Sequence, residues 1–74
     1  MNKIPVDVEV EVRRDGEQIP KAVIWSDGRR FAISRVVYRG MSSSNEFEGI
    51  RYTVIIGSAE KYIYRVNHTW YVMA

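Results

Sequence analysis

The chain contains no cysteine among its 74 residues. Disulfides therefore cannot stabilise the fold, and a cysteine-based metal site is excluded. Because small secreted domains usually carry disulfides, their absence favours the reducing cytoplasm. No apolar run approaches the ~20 residues of a membrane helix, and polar residues interrupt the stretch after Met1 that a signal peptide would need. We therefore expect a cytoplasmic protein without a membrane segment.

Residues that carry out chemistry are also scarce. His68 is the only histidine, and it falls in an expected tight turn, where the sequence indicates no acid–base partner for it. Ser42, Ser43 and Ser44 lie near no candidate base, and no glycine-rich phosphate loop is present. We expect no enzymatic activity, no catalytic residue, no bound metal and no cofactor.

The net charge of +2 is too small to imply a polyanionic partner, but the charge is unevenly distributed. Residues 1–20 carry three basic and five acidic groups, whereas residues 21–74 carry eight basic and four acidic groups. Eight of the 11 basic residues are arginines, which bind anions in a bidentate manner and stack on aromatic rings. Long arginine stems also cover apolar sheet surface, so both a recognition surface and simple surface coverage stay open.

Residues 6–13 give the clearest structural signal, because four valines alternate there with charged residues. This period of two predicts a strand with a core face and an acidic face. The carboxylates of Asp7, Glu9 and Glu11 would lie ~7 Å apart along that strand, too far for one cation without loop ligands. We interpret them as a solvated face.

The rest of the chain shows the same alternation, broken by turns. Asp15-Gly16 and Asp27-Gly28 predict turns, and a change of phase around Ser34-Arg35 predicts a bulge or a bend between two sheets. Gly40 to Glu46 predicts a mobile loop. The further strands are expected at 21–25, 30–39, 47–56, 60–66 and 69–73. We predict one all-β domain over residues 1–74, a five- or six-stranded antiparallel meander closed into a small SH3-like barrel.

Two hairpins carry a resemblance to known proteins. The stretch Lys21 to Ile33 resembles a hairpin of small bacterial domains of unknown function, in which a Trp ends one strand, a Gly/Arg turn follows, and an aromatic and a β-branched residue alternate in the next strand. The stretches 62–66 and 69–72 are similar to the closing hairpin of such domains. The resemblance implies a small bacterial β-barrel with an accessory role, and it brings no catalytic residue and no ligand.

The remaining pattern is arginine interleaved with aromatic residues. Small β-barrels bind single-stranded nucleic acid by stacking bases on exposed rings beside a basic groove. Because Trp70 and Tyr71 have opposite parity, we expect one of them to be more exposed. The hypothesis is a nucleic-acid-binding module, and the same rings could instead form only the core. The candidate interface comprises Arg29, Arg30, Arg35, Arg39, Arg51, Arg65 and Tyr71.

An alternative function comes from the apolar run 52–56, in which both parities carry large apolar groups. One face of this strand should meet the core, and the other would be free for a partner. This alternative is a protein-interaction or homodimerisation module, by strand addition or self-association. The expected state is a monomer or a weak homodimer.

Overall fold

The computed structural model describes residues 2–42 and 45–74, and its strands within those ranges confirm the all-β prediction. All paired strands are antiparallel. The strands are β1 (Lys3–Val12), β2 (Gln18–Ile24), β3 (Arg30–Ala32), β4 (Arg35–Met41), β5 (Ile50–Ile56), β6 (Ala59–Val66) and β7 (Thr69–Met73). The predicted count of five or six strands is wrong, because the expected third strand divides into β3 and β4. None of the described residues form a helix that could cross a membrane.

The division between β3 and β4 curls the sheet into a half-barrel. The strand order is β3-β2-β1-β7-β6-β5-β4, so two consecutive strands lie at opposite edges. The Ile33 amide donates to the Lys21 carbonyl on the β2 side, and the Ser34 amide donates to the Ile55 carbonyl on β5. The chain thus passes from one edge to the other within two residues, which confirms the predicted bend. The SH3-like type of closure stays a prediction.

The core lies on the inner face of this curled sheet. Its buried members come from six different segments: Val6, Val23, Ile33, Tyr52, Val54, Ile63 and Trp70. Val10 and Val12 on β1, expected to share that face, are instead 36% and 64% exposed. Only Lys3 to Val6 of β1 pair with β7, and the second half of β1 pairs with β2 alone. The alternation of valines therefore marks core positions in the first half of β1 only.

The outer face of β4, β5, β6 and β7 is organised in cross-strand rows. Tyr38 pairs with Thr53, which pairs with Tyr62. A register shift between Val36 and Tyr38 changes the parity of β4, so Val36 packs against the core while Tyr38 faces outward. Strand β4 continues to Met41, and Ser43 and Ser44 of the predicted loop lie outside the described residues.

Candidate functional site

Two of the predicted interface arginines are held by carboxylates at the β2–β3 hairpin. The Arg29 side-chain Nε donates to Asp27 Oδ2 at 2.6 Å, and Arg30 binds the Glu9 carboxylate at 2.8 and 3.0 Å. The pKa of Asp27 is lowered, mainly because its carboxylate accepts the backbone N–H of Arg29. Hydrogen bonding from Arg30 likewise lowers the pKa of Glu9. Neither guanidinium is an uncompensated cation.

Arg39 and Arg65 lie on the inner face, where both are engaged within the chain. Arg39 forms an ion pair with Glu17, and this hydrogen bond raises the pKa of Arg39. Arg65 Nε donates to the Tyr52 hydroxyl at 3.2 Å, and its Nη1 donates to the Asn67 carbonyl at 2.7 Å. These two side chains flank the buried core instead of facing a ligand. The predicted arginines are therefore dispersed over several parts of the surface.

Tyr71 offers no ring face to a base, because it is only 4% exposed. Trp70 is 5% exposed, so the expectation that one of this pair would be exposed is wrong. Trp70 faces the core, whereas Tyr71 faces outward and is covered there by neighbouring groups. Its ring stacks on Tyr64 with centroids 5.0 Å apart, and its hydroxyl donates to the Glu48 carbonyl at 2.8 Å. The segment before β5 thus folds over a position that the sequence suggested was open.

Exposed rings lie instead on the outer face of β4 and β6. Tyr38 is 65% exposed and Tyr62 is 50% exposed, with buried Thr53 between them on β5. A β-carbon at Gly40 would lie 2.9 Å from Cε2 of Tyr38, so this ring occupies space that a side chain at position 40 would need. We name the tyrosine face by five residues: Arg35, Tyr38, Arg51, Thr53 and Tyr62.

The tyrosine face also carries two arginines without a carboxylate partner among the described residues. The Arg51 guanidinium lies 4.5 Å from the Tyr62 ring centroid and 4.8 Å from that of Phe47. Stacking between two rings holds the cation in place without neutralising it. Arg35 pairs with Ile55, whose other neighbour on the same face is Glu60. The face is therefore aromatic and modestly basic.

The segment before β5 supports this face from one side. Phe47 packs edge-on against Tyr64 with ring centroids 5.3 Å apart. Gly49 permits the close approach, because its φ is +82° and a β-carbon there would lie 2.1 Å from the Arg65 carbonyl oxygen. Phe47 is thereby fixed beside Arg51. The position of the Arg51 guanidinium therefore depends on Gly49, two residues after Phe47.

Comparisons with known proteins give no family for the chain. No family model matches it, and neither a curated protein nor a solved structure matches it. Its resemblance to small bacterial domains therefore stays a prediction, and the geometry of the described residues carries the functional argument.

Tyr38 and Tyr62 are absent from the candidate interface that the sequence suggested. A parity signal was available for Tyr62, since it is adjacent to Ile63, a core residue only 1% exposed. The outward position of Tyr38 follows from the bulge at Val37, for which the local sequence gives no distinct signal. Of the predicted interface residues, Arg35 and Arg51 belong to the tyrosine face.

Proposed function

We propose that this protein is a non-enzymatic module that binds single-stranded nucleic acid on the tyrosine face. The observation that carries the proposal is the pair of exposed rings, Tyr38 and Tyr62, on the same outer surface as Arg35 and Arg51. Bases of any sequence can stack on tyrosine rings, and guanidiniums attract the phosphates between them. A sheet surface with outward rings suits a flexible single strand better than a rigid duplex.

The intrachain ion pairs limit which arginines are available to bind phosphate. Arg29, Arg30 and Arg39 are already paired with carboxylates, so a phosphate would have to compete with those partners. Arg35 and Arg51 have no such competitor among the described residues. We therefore expect about two phosphate contacts per protein and modest affinity, with a logarithmic salt slope near −1.4 for a single strand.

The test is a titration of labelled single-stranded and duplex oligonucleotides at two salt concentrations. Arg51→Met keeps much of the apolar stem and removes the charge, so it should weaken binding and reduce the salt slope by about 0.7. Arg29→Met is the matched control. Because Arg29 is paired with Asp27, this substitution should leave the salt slope unchanged. Salt-independent binding, or no binding at about 100 µM protein, would refute the electrostatic mechanism.

The stacking part of the proposal has its own variants. Tyr38→Ala should weaken single-strand binding by at least about fivefold, since a stacked base contributes roughly 1–3 kcal/mol. Gly40→Ala provides a second perturbation of the same ring, because the added β-carbon displaces Tyr38 and position 40 has no left-handed φ. We expect Gly40→Ala to weaken binding without lowering the melting temperature. Equal binding by wild type and both variants would exclude Tyr38 as a stacking platform.

A second candidate function, protein interaction or homodimerisation, is favoured by apolar groups on the same surface. Ile55 is half-buried on the outer side of β5, and Val37 at the β4 bulge is 46% exposed. Tyrosine and arginine are also enriched among residues that dominate protein interfaces. The expected strand addition at residues 52–56 is excluded. Strand β5 already pairs with β4 and β6, so it has no free edge to which a partner strand could add.

Sedimentation over a concentration series distinguishes self-association from nucleic-acid binding. A dimer that Tyr62→Ala dissociates, with no oligonucleotide binding by the wild type, would favour the second candidate. A monomer at all concentrations that binds single strands would favour the first.

A further inference from the structure

An apolar groove is lined by residues of β1, β2, β3, β5, β6 and β7. It has a volume of about 490 Å³, within the range of small-molecule sites. Aromatic and aliphatic side chains dominate its lining, including Ile4, Trp25, Phe31, Ile56 and Val72. Trp25 is half-buried and Phe31 is 36% exposed, so the groove is accessible from solvent.

One cation contributes to this apolar lining. Lys61 lies on β6 opposite Val54 and two residues before Ile63, so its register places it on the inner face. Both of those neighbours are core residues, 0% and 1% exposed. Lys61 itself is exposed, and within the described ranges it has no ion-pair partner. A single uncompensated ammonium group beside an apolar groove complements an amphipathic anion.

We propose that this groove binds an apolar monocarboxylate, with the hydrocarbon part between Trp25 and Phe31 and the carboxylate at Lys61. The apolar walls supply the affinity by removing hydrocarbon from water. Lys61 supplies the charge selectivity, because an ammonium attracts a carboxylate and repels a cationic head group of the same tail. Tyr62 lines the groove and also belongs to the tyrosine face, so the two sites adjoin at that residue. Trp25, Phe31 and Lys61 lie outside the tyrosine face, so variants at these positions test the groove alone.

Three probes with the same tail test the site: decanoate, decanol and decylammonium, each used below its micelle concentration. Binding is followed by tryptophan fluorescence, with Trp25→Phe identifying which indole responds. We expect decanoate to give a saturable change that Trp25→Phe removes, and about tenfold weaker binding of decylammonium. Calorimetry of decanoate binding to Trp25→Phe checks that the loss of signal is not a loss of binding.

The charge assignment is tested with Lys61→Gln, which removes the cation at an exposed position. The variant should weaken decanoate binding about threefold to fivefold and leave decanol binding unchanged. Lys21→Gln is the matched control, because Lys21 pairs with Glu11 elsewhere on the sheet. Equal affinity for decanoate and decylammonium, an unchanged decanoate affinity in Lys61→Gln, or no saturable binding of any probe would each overturn the proposal.

Discussion

Single glycines differ sharply in what they contribute to this protein, and Gly49 and Gly57 show the contrast. Both adopt left-handed backbone, with φ of +82° and +64°. A β-carbon at Gly57 would meet nothing within 4 Å, whereas one at Gly49 would collide with the Arg65 carbonyl oxygen. Gly57→Ala therefore introduces backbone strain alone, and Gly49→Ala adds a steric clash that only a movement of the segment can relieve.

We expect Gly57→Ala to lower the free energy of unfolding by about 1 kcal/mol. Gly49→Ala should lower it by about 3 kcal/mol or more, because strain and overpacking act together. Urea denaturation of both variants measures the difference. Gly49→Ala should also disturb Phe47 and with it Arg51, so its single-strand binding should weaken beyond that of Gly57→Ala. Equal destabilisation by the two substitutions would contradict the close approach at Gly49.

Between elements, an ion pair joins β1 to β3 across the intervening strand. Glu9 pairs in register with Ala22 on β2, and Arg30 extends from β3 to reach the Glu9 carboxylate. Ala22 is 0% exposed although it lies on the outer side of the sheet. Its small methyl group adds little bulk beside Glu9, its register partner on β1.

This pair predicts a pH dependence of stability. Hydrogen bonding from Arg30 lowers the pKa of Glu9 below its ordinary value of 4.5, so folding is favoured by the ionised form. The contribution is therefore present above pH 4.5 and is lost as the pH falls through the lowered value of the folded state. Glu9→Gln should lower the melting temperature at pH 7 in low salt, and the gap from wild type should close at acid pH.

The control for this prediction is Glu60→Gln, which makes the same charge change at an exposed residue without an ion-pair partner among the described residues. A gap between wild type and Glu9→Gln that persists unchanged at acid pH would contradict the assignment, as would an equal effect of Glu60→Gln at pH 7.

Most elements were predictable from local sequence, because alternation and turn chemistry are local properties. The expected strand at 69–73 coincides with β7, and Asn67 has the left-handed φ of 55° that a tight turn before it requires. The bulge at Val37 was not predictable, since valine fits regular and bulged strands alike. That one register shift decides that Tyr38 faces outward.

At the scale of the whole molecule, the curling of the sheet was predictable but the assignment of the outer surface was not. The change of phase near Ser34 marked where the chain leaves one sheet edge for the other. The cover over Tyr71 depends on Glu48, 23 residues earlier in the chain. The pairing of Arg30 with Glu9 likewise joins residues 21 positions apart. Contacts between residues so far apart in sequence depend on the tertiary fold, so local periodicity does not predict them.

The shared core also makes the molecule depend on a few large side chains. Trp70 is 5% exposed, and its ring lies 5.1 Å from that of Tyr52, which is 1% exposed. Trp70→Ala should lower the free energy of unfolding by about 3–5 kcal/mol. That is most of the ~5 kcal/mol expected for so small a domain, so we expect the variant to be largely unfolded at moderate temperature.

Because β1, β5, β6 and β7 all contribute to the cluster around Trp70, its loss should unfold these strands together. Thermal unfolding followed by far-ultraviolet circular dichroism measures the strands, and tyrosine signals in the near ultraviolet measure the packing around Tyr52. The two transitions should coincide in Trp70→Ala and shift far below wild type, whereas Tyr38→Ala on the outer face should leave the melting temperature nearly unchanged. A nearly unchanged melting temperature in Trp70→Ala would mean that the core does not depend on this ring. Separate far-ultraviolet and near-ultraviolet transitions would mean that the strands around the ring do not unfold as one unit.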